Sequence, residues 1–403
     1  MLDRNEPLTK LWGIDDEKIS EQLSLEKNLV EIDRKLQKLL DGKSFAGSYV
    51  FTYFNRINIY VSDPSKIDDI ENSHEMKPYD KYLYFEDVTN SFDDLMSLFI
   101  KIIESAKNFK PKNVIIFTDI LENNNSVYIN KDDRNVPFLN DIKQYRPIIR
   151  LLEVDQSNLD NGIRSGDYIY NDDGSRCSAG FWAKDKNNSQ TNYIVTAGHC
   201  YRENRENIFS LRPLNSEEHS YIIGPMLYHN GAPTDAALIY LKNQVKPFAV
   251  IKNLDSKKHP ELYITDYSTQ IPSYGTHLCK HGSTTFTTCG YVIGLNGVYM
   301  VNDELLTNMI ISNALCEKGD SGGIVFHFLN LNKVSIDGIV TAKSGDLFLV
   351  LLLDQQMILK LTPFPFDTII ILCSYRILDF NNECTSTSKM YKWGEIAFLN
   401  RKK

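Results

Sequence analysis

Residues 313–323 read NALCEKGDSGG. A serine at 321 set among Gly319, Gly322 and Gly323 sits in a turn that glycine makes sterically cheap. Such a turn exposes the hydroxyl and leaves the backbone N–H groups of Gly319 and Ser321 free to face an oxyanion. Serine is a weak nucleophile at neutral pH. It needs a base to take its proton, and that base needs a carboxylate to fix its tautomer and stabilise the imidazolium. Upstream stretches supply one of each: His199 in TAGHC (196–200) and Asp235 in TDAALIYL (234–241). Alone, a histidine beside a cysteine or an aspartate before an apolar run reads as a structural residue or a turn cap. The order His, Asp, Ser, with one of each type in a matching setting, points instead to nucleophilic catalysis.

Around this nucleus, from 177 onwards, short apolar runs are separated by Gly, Asn, Asp and Pro: GFWA, YIVTA, AALIYL, ELYIT, GYVIGL, GIVFHFL and SIDGIV. They lack helical periodicity, and such close spacing favours an all-β barrel or sandwich. Before them, DQSNLDNGIRSGDYIYNDDGS (155–175) is polar and turn-rich and marks a domain boundary. The first 150 residues alternate helix and strand. Apolar residues from Ile14 to Leu40 recur at helical spacing up to Gly42, and Phe45–Ser65 reads as a hairpin about Asn55-Arg56. A helix starts at Ser91 with Asp94 three residues on, and NVIIF (113–117) reads as a strand.

A chain of 403 residues, 42% apolar and 24% charged, suits two folded units rather than one small core or a disordered chain. The formal charge of −8 sets aside broad nucleic-acid binding, which needs an electropositive face. The late apolar runs Leu347–Leu353 and Ile369–Cys373 are far short of the roughly 18–20 residues that cross a bilayer, so no membrane partner is expected. The N-terminal MLDRNEPLTKLWGIDDEK lacks the apolar stretch of a signal peptide. Seven cysteines, none before Cys177, nevertheless suit an oxidising compartment. A secreted, monomeric protein is the expectation, with an intracellular one as the alternative. The Cys and His spacings lack the repeated close pairs of a zinc site, so no metal and no cofactor are expected, and His229, His277 and His281 are taken as surface or barrel residues.

TAGHC, TDAALI, GDSGG, CSAGFWAK at Cys177 and CKHGSTTFTTCG (279–290) together resemble the chymotrypsin-like serine proteases, most closely the streptogrisin and alpha-lytic group, over about residues 165–344. The resemblance implies an all-β fold of two six-stranded barrels and a serine endopeptidase acting on polypeptides through an acyl-enzyme. In it His199 is the general base, Asp235 orients it, Ser321 attacks, and the amides of Gly319 and Ser321 form the oxyanion hole. Disulfides Cys177–Cys200 and Cys279–Cys289 follow the family pattern, and Cys316 is expected to pair with Cys373 or Cys384. Asp320 is expected in an internal ion pair rather than in proton transfer. Leu315, Thr341 and Lys343 are assigned to the substrate pocket, with a small or apolar residue preferred before the scissile bond.

FAGSYVFTYFNRINIYVSDP resembles, more weakly, the pro-region of the same proteases. That implies a smaller α/β pro-domain (1–160) acting in cis as folding assistant and inhibitor, a cut near Asp160 to Gly166, a protease domain over 161–345, and a divergent C-terminal segment over 346–403. An attached α/β binding domain is the alternative for residues 1–150. For the whole chain, the alternative is a protease-like binding protein without activity.

Overall fold

In the computed structural model the described residues are 7–130, 132–152, 164–171, 174–185, 192–211, 221–232, 235–242, 245, 248–256, 258–268, 270–301, 303–352, 369–372 and 377–378. The expected boundary at 160/161, most of the expected cut region, and Cys373 and Cys384 lie outside them. No helix among the described residues is long and apolar enough to cross a membrane.

The second half of the chain builds two β units. In the later one, strands pair in a ring: His277–Gly282 with Phe286–Val301, then Glu304–Ser312, Leu347–Leu352, Lys333–Ser344, Ile324–Asn330, and back to His277–Gly282. That is a closed six-stranded barrel, and closure leaves no open edge within the ring. Its last strand, LFLVLL at Leu347–Leu352, has five of six residues buried. The barrel therefore extends past the boundary expected at 345. A continuous apolar run is what a strand enclosed on both faces needs.

The earlier unit is a curled antiparallel sheet. Its order is Trp182–Asp185, Asn192–Thr196, Ala236–Tyr240, Tyr221–Asn230, Ile208–Leu211, Tyr168–Tyr170 and Arg176–Ser178. Within the C-terminal segment, Ile369–Leu372 adds to its edge beside Trp182–Asp185. Trp182, Ile194, Phe209, Ile223 and Ile239 are buried in one cluster on one face of these strands, while Leu238, on the opposite face, joins the core shared with the barrel.

The N-terminal elements follow the sequence closely. The helix Ile19–Leu36 buries Ile19, Leu23, Glu26, Leu29, Ile32, Asp33 and Leu36, one helical stripe. It is shorter than the Ile14–Leu40 expected. A separate turn of 3₁₀ helix, Asp16–Lys18, precedes it, and the chain leaves the helix well before Gly42. Phe45–Phe51 and Arg56–Val61 form the expected hairpin, with Asn55 left-handed at φ 49°. Ser91 and Asp94 close a capping box at the start of the helix Phe92–Phe109.

What the sequence did not disclose is how these elements join the barrel. The strand Val114–Asp119 pairs antiparallel with Phe286–Val301, setting Ile116 against Val298 and Val114 against Met300. Thr118 N–H donates to Asn296 Oδ1 (3.1 Å), and Asn296 Nδ2 donates back to Thr118 Oγ1 (2.9 Å). Leu8, Trp12, Ile19, Leu23, Ile115 and Phe117 share one apolar core with Ile324, Phe326, Phe328 and Ile336 of the barrel.

Polar groups are buried in the same contact. His277 N–H donates to Glu26 Oε1 (2.9 Å), and the His277 ring Nδ1 meets Glu26 Oε2. Because His277 Nε2 accepts from Phe328 N–H (2.9 Å), the ring proton sits on Nδ1 and points at the carboxylate. Ser273 Oγ donates to Asp33 Oδ2 (2.6 Å). Burial lifts the Asp33 pKa above the ordinary carboxylate value despite its hydroxyl donors.

Candidate active site

Three strand ends converge on the site. His199 follows the strand Asn192–Thr196 and lies in one turn of 3₁₀ helix, Gly198–Cys200. Asp235 immediately precedes Ala236–Tyr240, which pairs with that strand. The two residues meet across this pairing. Asp235 Oδ1 accepts from the His199 backbone N–H at 2.7 Å, and His199 Nδ1 lies 3.0 and 2.9 Å from the two carboxylate oxygens. Asp235 adopts φ 51°, a left-handed conformation that aspartate tolerates better than most residues, and its own N–H donates to Gly231 O at 2.7 Å. A carboxylate bonded to Nδ1 leaves Nε2 as the ring's outward atom.

The His199 side chain is 46% exposed while that of Asp235 is 4% exposed. Burial of the ring's inner edge pulls its pKa down. The charge and hydrogen bond of Asp235 outweigh this and set it above the ordinary value of 6.5.

The turn bearing Ser321 packs directly against the histidine loop. A Cβ on Gly322 would lie 2.0 Å from Thr196 Oγ1 and 2.8 Å from Ala197 N, so only glycine permits the approach. Ser321 O accepts from Ser178 N–H (2.8 Å), on the strand that carries Cys177. The hydrogen-bonded link formed in this state is that of His199 with Asp235; the Ser321 hydroxyl is not one of its partners. Such contacts commonly tighten only with substrate bound.

Around the turn the backbone amides divide cleanly. Asp320 N–H donates to Glu317 O, Gly322 N–H to Val340 O and Gly323 N–H to Asp320 O. Among the described residues, the amides of Gly319 and Ser321 have no backbone acceptor. Gly319 O accepts from Ser178 Oγ (2.7 Å) and Ser283 Oγ (2.9 Å), which fixes the plane of the Gly319–Asp320 peptide that lies between the two amides. The sequence did not single out either serine; CSAG and HGST carry no signal beyond their nearness to cysteine.

Asp320 does make the internal ion pair expected of it, and its partner is Lys280. The two side chains are 0% exposed, with Nζ 3.1 Å from Oδ2. Asp320 also accepts from the N–H groups of Thr284, Thr285 and Glu317 and from Thr285 Oγ1. Burial would raise its pKa, but Lys280 and these donors hold it below the ordinary value. Lysine is almost never fully buried unless paired, and nothing in CKHG at 279–282 marks this one as buried.

Disulfides join Cys177 to Cys200 and Cys279 to Cys289. The first ties the strand before the site to the histidine turn. The cysteines expected to pair with Cys316, Cys373 and Cys384, lie outside the described residues, and among the described residues Cys316 has no disulfide partner. It is 5% exposed and packed as a small apolar residue against Leu278, Ala314, Val340 and Phe348. His277 and His281 are buried barrel residues, and burial lowers the pKa of His281 to about 3, so it stays neutral.

Of the expected pocket residues, Leu315 is 57% exposed, and Thr341 is 1% exposed with Oγ1 buried and unpartnered among the described residues. Lys343 is held in an ion pair with Glu317, a residue the sequence had not marked.

No protein-family model matches the chain. Serine protease 2 of Streptomyces fradiae is 28% identical over 177 residues, which are 41% of this chain and 87% of that protein. Among solved structures, a glutamic acid specific serine protease is 25% identical, covering 47% of this chain and 93% of its own with TM-score 0.39. Nocardiopsis protease is 20% identical, covering 49% and 96% with TM-score 0.39. The Streptomyces relative is matched over nearly its whole length, and this chain carries a His–Asp pair on the curled sheet and a GDSGG turn on the closed barrel. Over its second half the chain is thus similar to chymotrypsin-like serine proteases of the streptogrisin-like kind, and it carries the His–Asp pair and GDSGG turn that a serine-type endopeptidase uses.

Proposed function

We propose that the chain hydrolyses peptide bonds through an acyl-enzyme and is made as a precursor whose N-terminal part is a pro-region. The observation that carries the chemistry is the His199–Asp235 pair beside the GDSGG turn. His199 Nε2 takes the Ser321 proton as Oγ adds to the scissile carbonyl, and Asp235 holds the proton on Nδ1 and stabilises the imidazolium. The oxyanion is met by the amides of Gly319 and Ser321. Collapse breaks the C–N bond, with the proton on Nε2 passing to the leaving amine. Water, deprotonated by the same nitrogen, then releases the acyl group. Asp320, in its ion pair with Lys280, takes no part in proton transfer.

Support for the pro-region is its contact with the barrel. The pairing of Val114–Asp119 with Phe286–Val301 joins segments far apart in sequence, the kind of non-local pairing whose loop-closure cost slows β folding. A prebuilt edge strand lowers that cost. Arg164 pairs with Glu261, and Ser165 N–H donates to Val250 O (3.2 Å). A cut on the N-terminal side of Arg164, within the expected stretch from Asp160 to Gly166, would keep both of these contacts with the protease half. Two disulfides support an extracellular setting.

The test is incubation of the full chain beside Ser321→Ala, followed by intact-mass analysis. Only the unaltered chain is expected to lose its N-terminal part. A correctly folded chain that is neither cut nor labelled by a fluorophosphonate at Ser321 sinks the enzyme reading in favour of a binding protein.

The pH profile offers a second check. Since the folded His199 pKa lies above 6.5, kcat/KM is expected to fall as pH drops through a midpoint above that value, because the protonated ring cannot accept the serine proton. Asp235→Asn is expected to move the midpoint down. A profile flat between pH 5 and 8 rules out His199 as the base.

A further inference from the structure

The chain enters the nucleophile turn through Glu317 and Lys318. On its other side the turn is bound to the strand Lys333–Ser344, where Gly322 N–H donates to Val340 O (2.7 Å) and Val340 N–H to Gly323 O (2.9 Å). From that common base the two segments run on past Ser321, and they are tied together again by the ion pair of Glu317 with Lys343. The side chains are 18% and 23% exposed, so the pair is part-buried but still faces solvent. A peptide whose carbonyl carbon lies on Ser321 Oγ, with its oxygen on the turn's amides, would have its acyl-side residue beside these two segments.

We propose that the Glu317–Lys343 pair spans the gap between these segments and determines specificity, admitting neutral acyl-side residues and turning away both acidic and basic ones. This rests on the protease reading above. In a partly desolvated gap a lone ammonium or carboxylate attracts a side chain of opposite charge strongly. Joined, each satisfies the other. An acidic substrate residue reaching for Lys343 meets Glu317, and a basic one reaching for Glu317 meets Lys343, so like-charge contact discriminates against both. A small or uncharged side chain disturbs neither partner. The pair also sits on anchored backbone. Glu317 N–H donates to Asp320 Oδ2 (2.9 Å), and Lys343 is in register with Phe348. Neutralising either side chain leaves these backbone contacts in place.

The experiment measures kcat/KM on a peptide panel with Ala, Leu, Glu or Lys on the acyl side, each enzyme's active fraction being counted by fluorophosphonate labelling. The unaltered enzyme is expected to favour Ala or Leu. Glu317→Gln frees Lys343 and is expected to raise the Glu-to-Ala ratio about tenfold to a hundredfold, and Lys343→Met to do the same for Lys. Both gains shrink with added salt as the exposed side of the gap is screened. The exchanged pair, Glu317→Lys with Lys343→Glu, returns the neutral preference. An unchanged ranking in labelled single variants overturns the proposal. So does a uniform fall across the panel, which is what a pair that only braces the turn produces. An unaltered enzyme that takes no label overturns the protease reading itself, which sets that failure apart from the other two.

Discussion

His199→Ala is expected to lower kcat on a peptide substrate by roughly 10⁶-fold, close to the loss from Ser321→Ala, with the double variant little worse than either. Residues that act as one unit fail together. Once the ring that takes the proton is gone, the Ser321 hydroxyl has no base, and the Asp235 carboxylate keeps only the His199 backbone N–H of its described partners. KM is expected to change little, because His199 acts on the reacting atoms rather than on remote parts of the substrate. Steady-state kinetics on enzyme with unchanged circular dichroism checks this. Additive losses in the double variant contradict a shared mechanism.

The largest stability effect is expected from Lys280→Met. It removes the cation from a pair whose side chains are both fully buried and leaves Asp320 uncompensated. Breaking such a pair from one side costs about 3–5 kcal/mol. At about 2–4 °C per kcal/mol for a domain of this size, the melting temperature falls by about 6–20 °C. Activity falls with it, because the Asp320 carboxylate also accepts the N–H of Glu317 and orders the turn that presents Ser321. The companion variant Lys280→Met with Asp320→Asn is expected to recover much of the stability, since no charge is then buried alone.

The pH sign follows from Asp320, whose folded pKa is depressed below its ordinary value. Its contribution is fully present above the unfolded value near 3.8 and is lost as pH falls through the lower folded one. Thermal melts of the unaltered protein and Lys280→Met are expected to converge in that acid range. A variant as stable as the unaltered chain at pH 7 removes the ion pair from the account.

The chemistry was legible because it is local. TAGHC, TDAALI and GDSGG each carry their own turn geometry, so the residue types and the glycines disclosed a role before any tertiary contact was known. The capping box at Ser91 and the hairpin about Asn55 were readable for the same reason. Lys280 was not, because the same lysine on a surface strand is a solvated charge; only the folded barrel buries it beside Asp320. Glu317 and Lys343 are 26 positions apart and announce nothing until a strand and a turn are bound side by side. The burial of Cys316 among Leu278, Ala314, Val340 and Phe348 was equally hidden, because its place before the nucleophile turn says nothing of the core it enters. The sixth barrel strand, Leu347–Leu352, was visible as an apolar run, but its pairing with Glu304–Ser312 on one side and Lys333–Ser344 on the other depends on closure of the ring.

The strand shared between the two halves of the chain also has a meaning in time. Thr118 and its partner Asn296 are 178 positions apart. At about 5–20 residues per second of synthesis, roughly 10–35 s separate their emergence from the ribosome. The helices and strands up to Leu152 make most of their contacts with one another and can form in that interval. The nascent strand Phe286–Val301 then meets an edge already in place, with Val114, Ile115 and Ile116 in register to receive it. Swapping the order of the two halves in a circularly permuted gene would leave every contact available and remove this head start, so the order of the chain itself serves as a schedule for assembly.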